Sequence, residues 1–323
     1  MRAVVCHELG PLETLVVEDQ PPPSAGEGQV VVDVRAAGVN FVDGLICQGR
    51  YQIKPATPFV PGSEIAGEVS AVGPGSGGIS IGDRVIAFVG FGGFANQAVV
   101  PALSVVPMPD GLDFARGASL IQSYSTMLFT LTRRTVLSPG EWVLVLGAGG
   151  GVGLAAVDVA TALGGKVIAA ASSADKLDAA RSMGAEATIN YETEDLKVRA
   201  RELSGGGVDV VVDPVGGRQS EPALRATGHL GRFCVIGFAS GPIASVPLNQ
   251  VLLNNRTVVG VDWGGWTFKD PLGNRDLIAQ LMDMVGTGRL HPVDPASVPL
   301  DQAATVMSGL IDRTIGGKAV LVP

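Results

Sequence analysis

Apolar positions follow two different patterns along the chain. Up to about residue 120 they form short runs rich in Val, Ile and Ala: Gln29–Arg35, Ser63–Val72, Asp83–Phe88 and Ala95–Pro101. Clusters of Gly, Pro and Ser (PPPSAGEG, VGPGSGG, VGFGG) separate them. Such clusters mark turns, and the runs between them read as strands. No long helical spacing appears before about Phe114, so this part predicts a compact, mostly antiparallel β domain.

From about residue 140 the pattern changes. Trp142–Leu146 is a continuous apolar run, as suits a strand buried on both faces. A glycine cluster and a helix-like segment to about Leu163 follow. Lys166–Ala171 is a second buried strand, Ala174–Met183 a short helix, Thr188–Asn190 a short strand and Glu192–Leu203 a charged helix. Val208–Asp213, Gln219–Thr227 and Gly231–Gly237 continue the alternation as strand, helix and strand. Alternating units with apolar strands predict a parallel sheet covered on both faces. The expected α/β domain spans 121–261. The tail is mixed: a strand at Val258–Asp262, helices at Asp276–Val285 and Asp301–Ile311, and a closing strand at Lys318–Val322. The fold class is therefore α/β plus β.

Length agrees with two domains, since 323 residues is about twice the usual 150 or so. The 23 basic and 31 acidic residues give a net charge of −8, which disfavours nucleic acid or an anionic membrane as partner. The N-terminus has no long apolar segment, and the most membrane-like stretch, 142–157, is too short to span and is broken by five glycines. Three scattered cysteines, Cys6, Cys47 and Cys234, suit a reducing compartment, and a cytoplasmic location is expected. The histidines His7, His229 and His291 show no ligand spacing, so no metal site is expected.

Residues 148–153 read Ala-Gly-Gly-Gly-Val-Gly, directly after a strand and opening a helix. This is the dinucleotide fingerprint with Ala for its first glycine. Gly150 would admit the backbone to a pyrophosphate, and Gly153 would let the helix pack closely on the sheet. The helix start, with Gly149, Gly151 and Val152, offers amides and a positive dipole end. The second strand ends at Ala171 and continues into Ser172, Ser173 and Lys176, with no carboxylate at its tip. A site for NAD wants an acidic residue there to hold the ribose diol, whereas hydroxyls and an ammonium suit a 2′-phosphate. NADPH is the expected cofactor. Asp175 points the other way but lies past the tip. Ser173 also reads as the cap of the following helix.

The segment Gly38–Asp43 (GVNFVD), QGRY, PFVPGSEIAGEV, the glycine turn, SSADK, Ile189-Asn190-Tyr191, VDVVVDPVGG and the terminal GGKAVLV together resemble the zinc-independent quinone oxidoreductases. These are the zeta-crystallin-like branch of the medium-chain dehydrogenase/reductase superfamily. Zinc enzymes of that superfamily carry Cys where Asn40 stands and His where Ser63 stands. The resemblance implies a GroES-like β domain built from 1–120 and 262–323, with a Rossmann domain inserted. It also implies a cofactor in the cleft and a homodimer paired through the strand near 256–262. It places Asn40 on the nicotinamide ribose side and Thr126 beside the nicotinamide. Ser173, Lys176 and Tyr191 fall at the 2′-phosphate, and Val215 with Ile236, Gly237 and Phe238 along the ribose and nicotinamide. Tyr51 would reach the substrate.

A ketone reductase places charge on one oxygen, which zinc normally stabilises. A quinone or enone spreads that charge over a conjugated system and needs mainly positioning and hydrogen-bond donors. The expected activity is hydride transfer from NADPH to a quinone or another α,β-unsaturated carbonyl. An enoyl thioester or alkenal would be handled by the same chemistry, and a non-catalytic NADPH-binding role is the alternative of a different class. Tyr51 and Asn40 are the candidate catalytic groups. Trp263 and Trp266 read either as an aromatic wall for a flat substrate or as an interface patch.

Overall fold

The structure is a computed structural model describing residues 1–323. The first part holds β1 (Arg2–Val5), β2 (Val16–Asp19), β3 (Gln29–Val39), α1 (Phe41–Cys47), β4 (Glu64–Val72), β5 (Arg84–Phe88), β6 (Gln97–Pro101), β7 (Val105–Pro107) and α2 (Phe114–Ala118). There follow α3 (Ile121–Phe129), β8 (Trp142–Leu146), α4 (Gly151–Ala162), β9 (Lys166–Ala171), α5 (Ala174–Ser182), β10 (Ala187–Asn190), α6 (Leu196–Leu203) and β11 (Val208–Asp213). The middle part closes with α7 (Ser220–Ala226), β12 (Thr227–Val235), α8 (Leu248–Leu252), β13 (Thr257–Gly260) and α9 (Trp263–Lys269). The tail holds α10 (Pro271–Gly286), β14 (Ala296–Pro299), α11 (Ala303–Ile311) and β15 (Ala319–Val322).

Two compact units emerge. One comprises residues 1–122, 278–286 and 292–323, the other 123–277 and 287–291. The second unit therefore runs to 277, not to 261. Trp263 explains the difference, because it is 3% exposed and its indole donates to Asn274 at 3.0 Å, while Trp266 stacks on Phe129 with centroids 4.6 Å apart. The tryptophan pair thus packs α9 within the α/β unit. Neither the wall nor the interface reading describes Trp263, which is a core residue.

In the first unit β3 is the spine. Its eleven residues pair antiparallel with β4, β6 and β15, and β4 continues to β5 and β7. Alternate residues Val30, Val32 and Val34 enter a core with Ile65, Val69, Phe94 and Leu321. The second unit is a six-stranded parallel sheet in the order β10-β9-β8-β11-β12-β13. Its central strands are buried along their length, as their unbroken apolar runs require. The order reverses direction between β8 and β11, and in such sheets ligands bind at the carboxyl ends flanking that switch. No helix is long and apolar enough to cross a membrane.

Candidate functional site

The turn after β8 lies at the switch point. Its glycines differ in what surrounds them. A Cβ on Gly153 would lie 2.2 Å from the Gly147 carbonyl and 2.7 Å from the Ala148 Cα, so α4 can pack on the strand only without a side chain there. A Cβ on Gly149 would run into the Lys176 side chain at 2.4 Å, so Lys176 lies directly across the turn. On Gly150 a Cβ would meet only the Gly147 carbonyl, at an ordinary 3.5 Å. Gly150 is exposed and is the N-cap of α4, with no side chain to satisfy the amides of Gly151, Val152 and Gly153. The first turn of a helix has no internal partners for these groups. The arrangement is an anion cradle of backbone N–H groups at the positive end of a twelve-residue helix.

Beside it, Ser173 is the N-cap of α5, yet its side chain makes no capping bond, so its hydroxyl is not consumed by the helix. Ser172, Ser173, Lys176 and Tyr191 are all half-buried, and Asp175 is exposed. The Tyr191 amide donates to the Ala171 carbonyl, which ties it to the end of β9. Across the switch, Val215 lies over Gly147, where a Cβ would be 2.6 Å from Val215 Cγ2. Asp213, which sequence reasoning passed over, holds this loop. It is buried at the end of β11 and accepts from the Val215 and Gly216 amides at 2.9 and 2.8 Å and from the Ser220 hydroxyl at 2.6 Å. The Ile236 and Gly237 amides bond back to the Asp213 carbonyl, and Phe238 packs over Gly216. The structure therefore collects Gly149–Gly153 and Lys176 on one side and Val215, Ile236, Gly237 and Phe238 on the other, both at the carboxyl ends of the sheet. Thr126 lies on α3, half-buried, and its carbonyl accepts from the Thr130 hydroxyl.

Asn40 and Tyr51 belong to the first unit. Asn40 follows β3 and caps α1, where its amide N–H donates to Asp43 at 2.8 Å. Strand register brings its partners. Gly38 pairs with Glu64 on β4, and Val39 pairs with Ala319 on β15, so Glu64 and Lys318 arrive beside Asn40. Gly38 has to be glycine, because a Cβ would strike the Ala118 carbonyl at 2.1 Å and Glu64 Oε1 at 2.6 Å. Lys318 Nζ donates to Asn40 Oδ1 at 2.6 Å and to Glu64 Oε1 at 2.9 Å, while Asn40 Nδ2 donates to the same carboxylate oxygen at 2.9 Å. The other oxygen of Glu64 accepts from the Gln122 amide at 2.8 Å, and Ser63 donates to Gln122 Oε1 at 3.0 Å. All but Gln122 are buried. Burial pushes the Asp43 carboxyl up to about 7, with Glu64 adding to the rise and the Asn40 amide and Lys318 opposing it.

Glu64 and Lys318 are further residues that sequence reasoning missed. Their one signal is a charge directly before a short apolar run: Glu64 before IAG, Lys318 before AVLV. Tyr51 is half-buried beyond α1, and Arg50 beside it is exposed and bonds to Gln48. Cys47 is 1% exposed, and burial raises its thiol far above the usual range, as befits a small core residue. No group of three or more His, Cys, Asp or Glu side chains is placed to hold a metal ion.

Two family descriptions match the chain: "Alcohol dehydrogenase GroES-like domain" over residues 26–110 and "Zinc-binding dehydrogenase" over residues 151–284. The chain is 39% identical over 324 residues to a quinone oxidoreductase-like protein 2 homolog of Nematostella vectensis, covering 99% of this chain and 88% of that protein. Among solved structures, a probable oxidoreductase of Mycobacterium abscessus is 39% identical with a TM-score of 0.90, covering 100% of this chain and 99% of the other. The quinone oxidoreductase of Thermus thermophilus, solved also in complex with NADPH, is 34% identical with a TM-score of 0.86, each chain covered completely. Likeness of this extent, in sequence and in fold, means that the chain belongs to the quinone oxidoreductase branch of the medium-chain dehydrogenase/reductase superfamily.

Proposed function

We propose that the chain is an NADPH-dependent oxidoreductase that delivers hydride to a quinone or another α,β-unsaturated carbonyl and works without zinc. The observation that carries the reading is the cradle after β8, in which Gly150 is open and Lys176 lies across Gly149. The uncapped amides of Gly151, Val152 and Gly153 suit a pyrophosphate. Lys176, Ser172 and the uncommitted hydroxyl of Ser173 suit a 2′-phosphate, with Tyr191 at the neighbouring strand end. Val215, held by Asp213, would line the ribose, with Ile236, Gly237, Phe238 and Thr126 toward the nicotinamide. The NADPH complex of the Thermus thermophilus relative favours the same cofactor.

NADPH, when bound, supplies the hydride. The chain's part is to position it and to offer donors to the oxygen that gains charge. Zinc fits the residues poorly. Asn40 and Ser63 occupy the positions where zinc enzymes of the superfamily carry Cys and His, and the cation beside Asn40 is already the Lys318 ammonium. A donor set of amides and hydroxyls favours acceptors that delocalise the incoming charge, as quinones and enones do. Tyr51 is the proposed hydroxyl at the substrate, and Asn40 the proposed amide.

A second copy of the chain is proposed to pair at β13. That strand is the free edge of the parallel sheet and is bordered by exposed Leu248, Leu252, Leu253 and Val258.

The test is cofactor discrimination. Replacing Lys176 by Ala should weaken NADPH binding by about 10-fold or more while leaving NADH binding within about 2-fold, in line with losing one charge-assisted contact. Ser173→Asp should tilt preference toward NADH. Equal losses for both cofactors would defeat the 2′-phosphate assignment. Turnover against naphthoquinones, enones and enoyl thioesters then ranks the acceptors, and a clear preference for the thioester would replace the quinone reading.

A further inference from the structure

An asparagine side chain presents two ends of nearly equal size and opposite hydrogen-bonding character, so what it can offer a ligand depends on which way it is turned. At Asn40 the neighbours decide. A lysine ammonium has donors only, and a carboxylate has acceptors only. Lys318 Nζ lies 2.6 Å from one end of the amide, and Glu64 Oε1 lies 2.9 Å from the other. Turned over, the amide would set NH₂ against NH₃⁺ and C=O against COO⁻ in a place where Asn40 is 8%, Lys318 7% and Glu64 0% exposed. Two like contacts at that burial are far costlier than at a surface.

We propose that Lys318, paired with Glu64, is a positioning residue that locks the Asn40 amide with its carbonyl inward and so makes Asn40 a hydrogen-bond donor to a ligand oxygen. The inference rests on the reading above that Asn40 serves the cofactor and substrate. Nδ2 carries two protons, and Glu64 takes one of them. The other has no partner among the residues around it. Both groups engaged by the amide are charged, which polarises it and strengthens the remaining N–H as a donor. The ligand chemistry is an acceptor oxygen: a ribose hydroxyl or carboxamide of NADPH, or the carbonyl of the conjugated acceptor.

The register of the strands shows why a lysine from the far end of the chain can do this. The pairing of β15 with β3 sets Ala319 against Val39, so the residue before the one and the residue after the other become neighbours.

The experiment uses the full chain, NADPH and a naphthoquinone. Asn40→Asp keeps an oxygen on Lys318 but replaces the outward donor by an acceptor, and it is made together with Glu64→Gln so that no second carboxylate faces Glu64. It should lower NADPH affinity or kcat/KM by about 10-fold or more, as loss of one polarised donor does. Lys318→Met should act in the same direction, and Lys318→Arg, which keeps a cation, should recover values within about 3-fold of the wild type. A change in the Kd for NADPH identifies the cofactor's oxygen as the partner. A change in kcat at constant Kd identifies the substrate's. Either supports the proposal.

It is overturned if the folded Asn40→Asp, Glu64→Gln variant matches the wild type, or if folded Lys318→Met does. Should Lys318→Met fail to fold, that double variant and Lys318→Arg still decide. Wild-type protein that neither binds NADPH nor reduces the quinone defeats the proposed function instead. The amide orientation is then read directly by NMR: one Asn40 Nδ2 proton should be protected from exchange in the wild type and lose that protection in folded Glu64→Met, which has no acceptor oxygen. Two equally exchanging protons in the wild type would refute the lock.

Discussion

The cradle after β8 and the cluster around Asn40 solve the same problem, holding a polar ligand, by opposite means. The cradle is backbone. Its donors are amides, its geometry comes from glycines consecutive in sequence, and no side-chain charge of its own is buried. The cluster is side chains. An amide, a lysine, two carboxyls and a hydroxyl are buried together, drawn from residues 40, 43, 63, 64 and 318. Backbone donors at an open helix start carry no net charge and can be satisfied by water until a ligand arrives. Buried charges persist only while every partner is in place. The first device should therefore keep its stability on loss of any one polar side chain and be intolerant of bulk, and the second should behave the other way round.

The largest effect expected is on the cluster. Lys318→Met leaves Glu64 buried without its cation and should cost about 3–5 kcal/mol of stability, the usual result of stripping one member from a buried pair. Adding Glu64→Gln removes the orphaned charge and should return part of that loss. Denaturant melts of the two variants check this. If the double variant is less stable than the single one, the pair is not the source of the cost.

The next effect concerns bulk. Gly153→Val would drive a side chain into the Gly147 carbonyl and Ala148 Cα, which are backbone atoms that cannot turn aside. A cost of about 1–3 kcal/mol is expected, with NADPH binding lost. Gly150→Ala meets nothing closer than 3.5 Å, so its melt should shift by no more than about 0.5 kcal/mol. Its methyl group would nevertheless occupy the opening where a phosphate is proposed to sit, so affinity should fall by about 10-fold. Stability loss without binding loss at Gly150, or the reverse at Gly153, would show that these two glycines do not divide the work in this way.

The same contrast explains what could be read from the sequence. The strand from Trp142 to Leu146, the strand from Lys166 to Ala171 and the strand from Val208 to Asp213 fall where their apolar runs placed them, because a strand buried on both faces has a local signature. The glycine turn is equally local. By contrast, α1 and α9 have weak local signatures: one is only seven residues long, and the other begins at a buried tryptophan bonded to Asn274. Glu64 and Lys318 were unreadable because their meaning arises only from register. Nothing near Lys318 in sequence says that Ala319 will pair with Val39. Asp213 lay between these cases, at the end of a readable strand and with a loop to hold that only the fold reveals.

The smallest effect, and the one that most sharpens the contrast, is the pH response of Asp43. Its carboxyl titrates in the folded chain at about 7, against the ordinary 3.8, chiefly because it is buried. Glu64 raises it further, while Lys318, the Asn40 amide and the Ser63 hydroxyl act against the rise, and no other charged partner enters the balance. Because the folded value lies above the unfolded one, the folded state binds more protons between the two. Stability then falls as pH rises through that window and levels off above the folded value. Between pH 6 and pH 8 the unfolded carboxyl is already ionised, and a folded value near 7 implies a loss of about 1.4 kcal/mol. Asp43→Asn still offers an oxygen to the Asn40 amide and has no proton to lose, so its melting temperature should be flatter over that interval than the wild type's. The cradle has no group of this kind, so the slope should be unchanged in Gly150→Ala. An Asp43→Asn protein with the wild-type slope would mean that Asp43 is solvated and ionised throughout, and that the cluster tolerates charge as readily as the cradle does.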